Sequence, residues 1–306
     1  LASKLISQLS KQELVIAKLI IEHYQALGIE QRDCEDAFAF TENESVYRVV
    51  KAASAELGFL NHDAQCIALA WQKKCPNLGQ FQLEEWPNHL SLFSSYQPSS
   101  RSFASCPKKL GLYVIAPSAE WIKKLAQAGV QTLQLRFKSE DPSHIDEEVH
   151  QAIEAVKNYS CRLFINDHWQ SALKYEAYGV HLGQEDLSVA DLQKIQEKGL
   201  RLGLSSHGYA EMIRAANIQP SYIALGAIFP TTLKKIATAP QGLGRLQKYT
   251  ELLKEFSLVG IGGVDTTNIK SVLDCGVGSV AMVRAVTAAK DYLTAIAQLN
   301  QYFQST

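Results

Sequence analysis

From about residue 110 to its end, the chain alternates short apolar runs with amphipathic stretches. The runs are Leu110–Ala116, Thr132–Phe137, Arg162–Asp167, Gly179–Gly183, Arg201–Ser206, Tyr222–Ile228, Leu258–Gly263 and Ser279–Ala285. Runs this short and this apolar predict strands buried on both faces, as in a parallel sheet covered on its outside. The stretches that follow them, such as Ala119–Ala128, Glu147–Asn158, Ser188–Lys198 and Ala288–Tyr302, carry helical spacing. After the sixth run a long loop delays the helix. Eight β–α units in about 200 residues predict an α/β fold, a compact (β/α)8 TIM barrel. A doubly wound open sheet is the alternative. The count of eight, and the lack of a G-x-G-x-x-G after the first run, favour the barrel.

The first hundred residues have another texture. Leu5, Ile6, Leu9, Leu14, Ile16, Leu19, Ile20 and Tyr24 approximate one helical face, and Gly28 is a plausible stop. Further helices are expected over Ser45–Leu57, ended by Gly58, and over Asp63–Lys74. The Ser-rich segment from Gln97 to Ser102 reads as a linker. The expected division is therefore a mainly helical region at 1–96, a linker at 97–106 and a barrel domain at 107–306. No catalytic cluster stands out in the helical region, where Asp33, Glu35 and Asp36 look like a solvated face or a helix start.

Composition narrows the partners. A net charge of −1, with no Lys/Arg stripe interleaved with aromatics, argues against nucleic acid. The apolar stretch Leu14–Ile21 is broken by Lys18 and followed by Glu22, too short to span a membrane and without a signal-cleavage pattern. Cys34, Cys66, Cys75, Cys106, Cys161 and Cys275 form no C-x-x-C pair, which suits reduced thiols in a cytoplasmic protein. The chain does not begin with Met. Small-molecule substrates are the expected partners, and a homo-oligomer is left open.

In a barrel of this kind, chemistry belongs at the carboxyl ends of the strands. At the second, alternation puts Gln134, Arg136 and Lys138 on one side and Leu135 and Phe137 on the other. Two cations and an amide at a buried barrel mouth suggest an anion site. The third run ends Ile165-Asn166-Asp167 and the fourth Gly183-Gln184-Glu185-Asp186. Either Asp alone would suit a helix cap. Together on adjacent strands, beside Arg136 and Lys138, Asp167 and Asp186 suggest a divalent cation of the Mg2+ type, held with phosphate. The fifth ends with Ser205, Ser206 and His207. No carboxylate is obviously spaced to bind His207, so a serine-nucleophile triad is poorly supported and His207 is left without a role. The loop after the sixth carries Thr231 and Lys234. Gly262-Gly263 after the seventh, with Val283 and Arg284 after the eighth, stand where barrels commonly cradle phosphate. Two anion sites and a metal suggest a diphosphate leaving group facing a second, phosphorylated substrate.

These segments together resemble the thiamine phosphate synthase family. The resemblance rests on Leu112-Tyr113, Gln134-Leu135-Arg136 with Lys138, Ile165-Asn166-Asp167, the run Gly179 to Asp186, Gly203-Leu204-Ser205, Gly226 through Thr231 with Lys234, and Ile261-Gly262-Gly263, in family order. It implies a transferase joining 4-amino-2-methyl-5-hydroxymethylpyrimidine diphosphate to a thiazole phosphate, giving thiamine monophosphate and diphosphate. By resemblance, Gln134, Arg136, Lys138, Asn166, Ser205 and Lys234 hold the pyrimidine diphosphate. Arg136, Lys138, Lys234 and Ser205 are then the catalytic set. Asp167 and Asp186 hold Mg2+, and Thr231, Gly263, Val283 and Arg284 surround the thiazole phosphate. The chain departs from the family pattern at Phe137, where Glu is usual, at Leu233, where a phosphate-contacting Thr is common, and at Arg284, often Ser. A TenI-like thiazole tautomerase shares the barrel but would lack the pyrimidine-diphosphate and metal residues. A non-catalytic thiazole-phosphate binder with a regulatory role is the rival from another class.

Overall fold

A computed structural model describes residues 2–30, 38–231 and 238–304. Four helices come first: α1 (Ala2–Ile6), α2 (Lys11–His23), α3 (Ser45–Glu56) and α4 (Asn61–Lys74). Ser10 and Glu13 start α2 with a reciprocal capping box, and Glu13 also meets Arg48 of α3 at 3.3 Å. Eight parallel strands then close into a barrel in sequence order: β1 (Gly111–Ala116), β2 (Thr132–Leu135), β3 (Arg162–Asn166), β4 (Gly179–Leu182), β5 (Arg201–Ser206), β6 (Tyr222–Leu225), β7 (Leu258–Ile261) and β8 (Ser279–Met282). Around them lie α5 (Ala119–Gln127), α6 (Pro142–Val156), α7 (Trp169–Lys174), α8 (Leu192–Glu197), α9 (Tyr209–Ile218), α10 (Gly242–Leu252), α11 (Ile269–Asp274), α12 (Arg284–Thr287) and α13 (Tyr292–Gln301).

The barrel of the sequence reading is thus present, with earlier strand ends. Phe137, Asp167, Gly183, Ile228, Gly263 and Ala285 lie beyond the ladder, where the chain leaves its neighbour to build the rim. Helix starts moved for a local reason. Asp141 caps α6 with Pro142 at its first position, ahead of the expected Glu147, while Asp191 and Asp291 cap α8 and α13 later than expected.

Alternation sorts each strand into two cores. Leu112, Val114, Leu133, Leu135, Ile165, Val180, Leu182, Leu202, Leu204 and Ile223 face the helices. Tyr113, Ile115, Phe164, Tyr222, Ala224, Val259 and Ala281 fill the lumen. Space there is tight: a β-carbon at Gly203 would stand 2.1 Å from the Tyr222 ring.

The N-terminal helices share the outer core of the barrel. Tyr24, Phe59, Trp71, Trp86 and Phe93 form an aromatic cluster that takes in Tyr209 of α9, whose hydroxyl accepts the Trp86 indole N–H at 2.7 Å. Arg245 of α10, 1% exposed, lies over the Phe59 ring and donates to the carbonyls of Leu27 and Leu57, both at 2.9 Å. It thereby satisfies, away from solvent, carbonyls at the end of the 25–27 turn and of α3. The Ser-rich segment is strapped down: the N–H groups of Ser99 and Phe103 bond the carbonyls of Asn217 and Gln219 at the end of α9. Among the described residues, no helix is long and apolar enough to cross a membrane.

Candidate active site

A cavity of about 920 Å³ opens at the carboxyl ends of the strands. Its wall carries Gln134, Arg136 and Lys138 from the end of β2 and the loop after it, Asn166 and Asp167 from the end of β3, His181, Gly183 and Glu185 from β4 and its loop, and Ser205 to His207 from the end of β5. Opposite stand Thr231, Gly262, Gly263, Val283 and Arg284. Eleven of the twelve site residues singled out from sequence can be placed, and ten of them line this one cavity. Lys234 lies outside the described residues, as does Leu233.

Asp186 is the one that does not line it. Its Oδ2 accepts the Gly183 N–H at 2.9 Å, and Glu185 takes a place on the cavity wall. The two carboxylates bracket Gly183: a β-carbon there would meet Glu185 Oε2 at 2.9 Å and Asp186 Oδ2 at 3.1 Å. Asp167 has φ of 62°, the left-handed region that Asp enters more readily than most residues. The turn is held by its N–H on the His181 carbonyl at 3.0 Å, and the Asp167 side chain stays exposed at the rim. His168 ties the neighbouring loops, its Nε2 lying 3.0 Å from the Phe137 carbonyl.

Beneath the rim, a hydrogen-bonded line crosses the lumen. Gln134 Nε2 donates to the Tyr113 hydroxyl at 2.9 Å, which lies 2.8 Å from the Tyr222 hydroxyl. That hydroxyl is 2.7 Å from His181 Nδ1, and His181 Nε2 is 2.9 Å from Ser205 Oγ. Burial pushes both phenols far above their usual range, so they stay neutral. His181 and the two tyrosines were given no role from sequence. Their signal was the alternation already used for Gln134, since His181 shares the inward parity of Gly179 and Gly183.

His207 departs from the expectation that no carboxylate is spaced to bind it. A carboxylate does bind it: Glu211, one helical turn ahead in α9, accepts the His207 N–H and meets Nδ1, both at 2.8 Å. Burial pushes the Glu211 carboxyl up, but the bonds and charge of His207 outweigh this and hold it below its ordinary value. Ser205 meets His181 instead, and His181 Nδ1 faces a tyrosine where a serine triad has a carboxylate.

On the other wall two glycines shape the cradle. Gly262 and Gly263 have φ of 100° and 66°, and β-carbons there would stand 2.5 Å from Ala227 and 2.7 Å from the Pro230 carbonyl. Both the conformation and the space require glycine. Asn268 donates to the Gly263 carbonyl at 3.0 Å and fixes the turn.

The model of the thiamine monophosphate synthase family matches residues 112–286. The chain belongs to that family. Over 202 residues it is 50% identical to thiamine-phosphate synthase of Serratia proteamaculans, covering 66% of this chain and 95% of that one. Over 197 residues it is likewise 50% identical to the Photorhabdus laumondii thiamine-phosphate synthase, covering 64% and 91%. Among solved structures it is similar to thiamine phosphate pyrophosphorylase from Pyrococcus furiosus, with a TM-score of 0.57 and 29% identity over 65% of this chain and 97% of that one. The family match leaves the helices α1–α4 outside it.

Proposed function

We propose that this enzyme of thiamine phosphate synthesis joins 4-amino-2-methyl-5-hydroxymethylpyrimidine diphosphate to a thiazole phosphate, releasing diphosphate. The observation that carries the reading is a charged wall and a glycine cradle facing each other across one cavity. Its 920 Å³ lies near the top of the ~300–1,000 Å³ common for small-molecule sites, which suits two substrates.

The bond between the pyrimidine methylene and the diphosphate oxygen breaks, and the pair leaves with the diphosphate. The aminopyrimidine ring supports the methylene cation, and the thiazole nitrogen adds to it to form the new C–N bond. No protein base is needed, so catalysis is positioning and charge. Arg136 and Lys138 would offset the charge growing on the departing diphosphate. Gln134, Asn166 and Ser205 would orient it, with Lys234 from the loop after β6. Gly263 and Val283, with Thr231 and Arg284, would hold the phosphate that stays.

The donor set also fits Mg2+. Asp167 presents a carboxylate at the β3 end, and the carboxylates of Asp186 and Glu185 flank Gly183 at the β4 end. Among the described residues, no group of three or more His, Cys, Asp or Glu forms a cage. Hard oxygens in ones and twos, completed by phosphate and water, are the usual Mg2+ arrangement. Asp167 and Asp186 would hold the ion, with Glu185 as the carboxylate of the β4 end that lines the cavity, and the ion when bound supplies positive charge to the leaving diphosphate.

The test is diphosphate release with both substrates and Mg2+, on wild type and Asp167→Ala. The variant should lower the thermal midpoint only by the modest strain of alanine at a positive φ, and lose at least about 10²-fold in turnover. Full activity of Asp167→Ala would remove the metal role. A wild type that binds both substrates without product would leave the non-catalytic binder, and conversion of the thiazole alone would favour the tautomerase.

A further inference from the structure

Helix α9 begins immediately after the β5 rim, yet its N-cap, Gly208, has no side chain to close the helix end. The missing acceptor comes from outside the barrel. Asp63, in the first turn of α4 and 3% exposed, accepts the Ala210 N–H on Oδ1 at 2.9 Å. Gly208 has extended backbone that any residue adopts, so its smallness answers to contact: a β-carbon there would stand 2.1 Å from Asp63 Oδ2. Glu211, in the same turn, bonds backward to His207, which lines the cavity beside Ser205. The first turn of α9 is thus closed from two sides, by its own Glu211 and by a carboxylate of the N-terminal helices.

We propose that Asp63 is a positioning residue for the active site, and that docking of the N-terminal helices sets the Ser205–His207 rim through the start of α9. The inference rests on the reading of Ser205 as a diphosphate contact. Neither Asp63 nor Gly208 lines the cavity. The contact itself falls on α9, behind the β5 side of the cavity, whereas the Gly262–Gly263 turn follows β7.

The experiment is a mutant cycle in the full chain with Asp63→Ala, Asp63→Asn, Gly208→Ala and the double variant Asp63→Ala/Gly208→Ala. KM is read for each substrate separately, and amide exchange is read over residues 207–213 in the free protein. Asn caps as well as Asp does, while Ala forfeits the bond. Asp63→Ala and Gly208→Ala should each raise KM for the pyrimidine diphosphate about fivefold or more, with KM for the thiazole phosphate within about twofold. Asp63→Asn should restore the wild-type value. The double variant should be no worse than the poorer single one, since both break one contact. Equal rises in both KM values, additive effects, or a lowered thermal midpoint with unchanged KM would overturn the proposal. Gly208→Ala approaches the contact from the barrel side and serves if Asp63→Ala does not fold. A wild type that releases no diphosphate would refute the reaction instead. Amide exchange then decides the positioning claim: faster exchange at the first turn of α9 in Asp63→Ala, but not in Asp63→Asn, supports it, and unchanged exchange overturns it.

Discussion

The two walls of the cavity are built from different materials. From β2 to β5 the wall is side chains: Arg136, Lys138, Asn166, Asp167, Glu185 and Ser205. From β7 to β8 it is shaped by two glycines at positive φ, with Val264 and Val283 beside them and Asp265 and Arg284 as its opposite charges. The difference matches what each wall would be asked to do. A leaving diphosphate gains charge during the reaction, and side chains and a cation respond to such charge strongly. A phosphate that only anchors its substrate needs geometry, which oriented N–H groups supply at no cost in side-chain entropy.

Substitution on each wall should therefore leave a separate kinetic signature. The largest effect after loss of Asp167 is expected at Arg136. Arg136→Ala should lower kcat/KM for the pyrimidine diphosphate roughly 10- to 100-fold, with KM for the thiazole phosphate little changed, as initial rates with each substrate varied in turn would reveal. Gly263→Ala should do the converse. Its new β-carbon would press on Phe229 and Pro230 at a strained φ, so KM for the thiazole phosphate should rise about tenfold while that for the pyrimidine diphosphate holds. If both variants disturbed both constants alike, the division between the walls would be wrong.

The smallest effect concerns the buried carboxylate that links the two regions. Burial raises the Asp63 carboxyl above its ordinary 3.8, against the pull of His62, the Ala210 N–H and Arg245, with Glu211 adding to the rise. Between 3.8 and the raised value, the folded chain keeps a proton that the unfolded chain has lost. Stability should fall as pH rises through that window and be level above it. Asp63→Asn has no such titration, so its thermal midpoint should gain on wild type over that window. Parallel curves for the two proteins would refute this.

The barrel was legible in the sequence because burial on both faces leaves continuous apolar runs, and eight of them were countable. Gln134 and Arg136 were legible for the same reason, as polar residues of one parity in an apolar strand. Glu211 is not legible as the partner of His207 from spacing alone, because the pairing depends on where α9 starts; with Tyr209 opening the helix, four residues become one turn. The strand ends were overestimated since apolar residues such as Phe137 and Ile228 continue past the ladder to pack beneath the rim. The docking of α4 on α9 left no local trace at all. Asp63 looks like any acidic residue in a first helical turn, and its partner is 147 positions away.

The line from Gln134 to Ser205 has a direction. Each hydroxyl has a single proton to give, and the Gln134 amide presents N–H to Tyr113. Were the protons to run toward Gln134, that of Tyr113 would face another donor. With the amide in that orientation, Tyr113 would give to Tyr222, Tyr222 to His181 Nδ1, and a proton on His181 Nε2 to Ser205. Ser205 then has its own proton left to offer into the cavity. A buried amide on the cavity wall would thus make the serine at the mouth a giver, suited to an oxyanion and unsuited to attack.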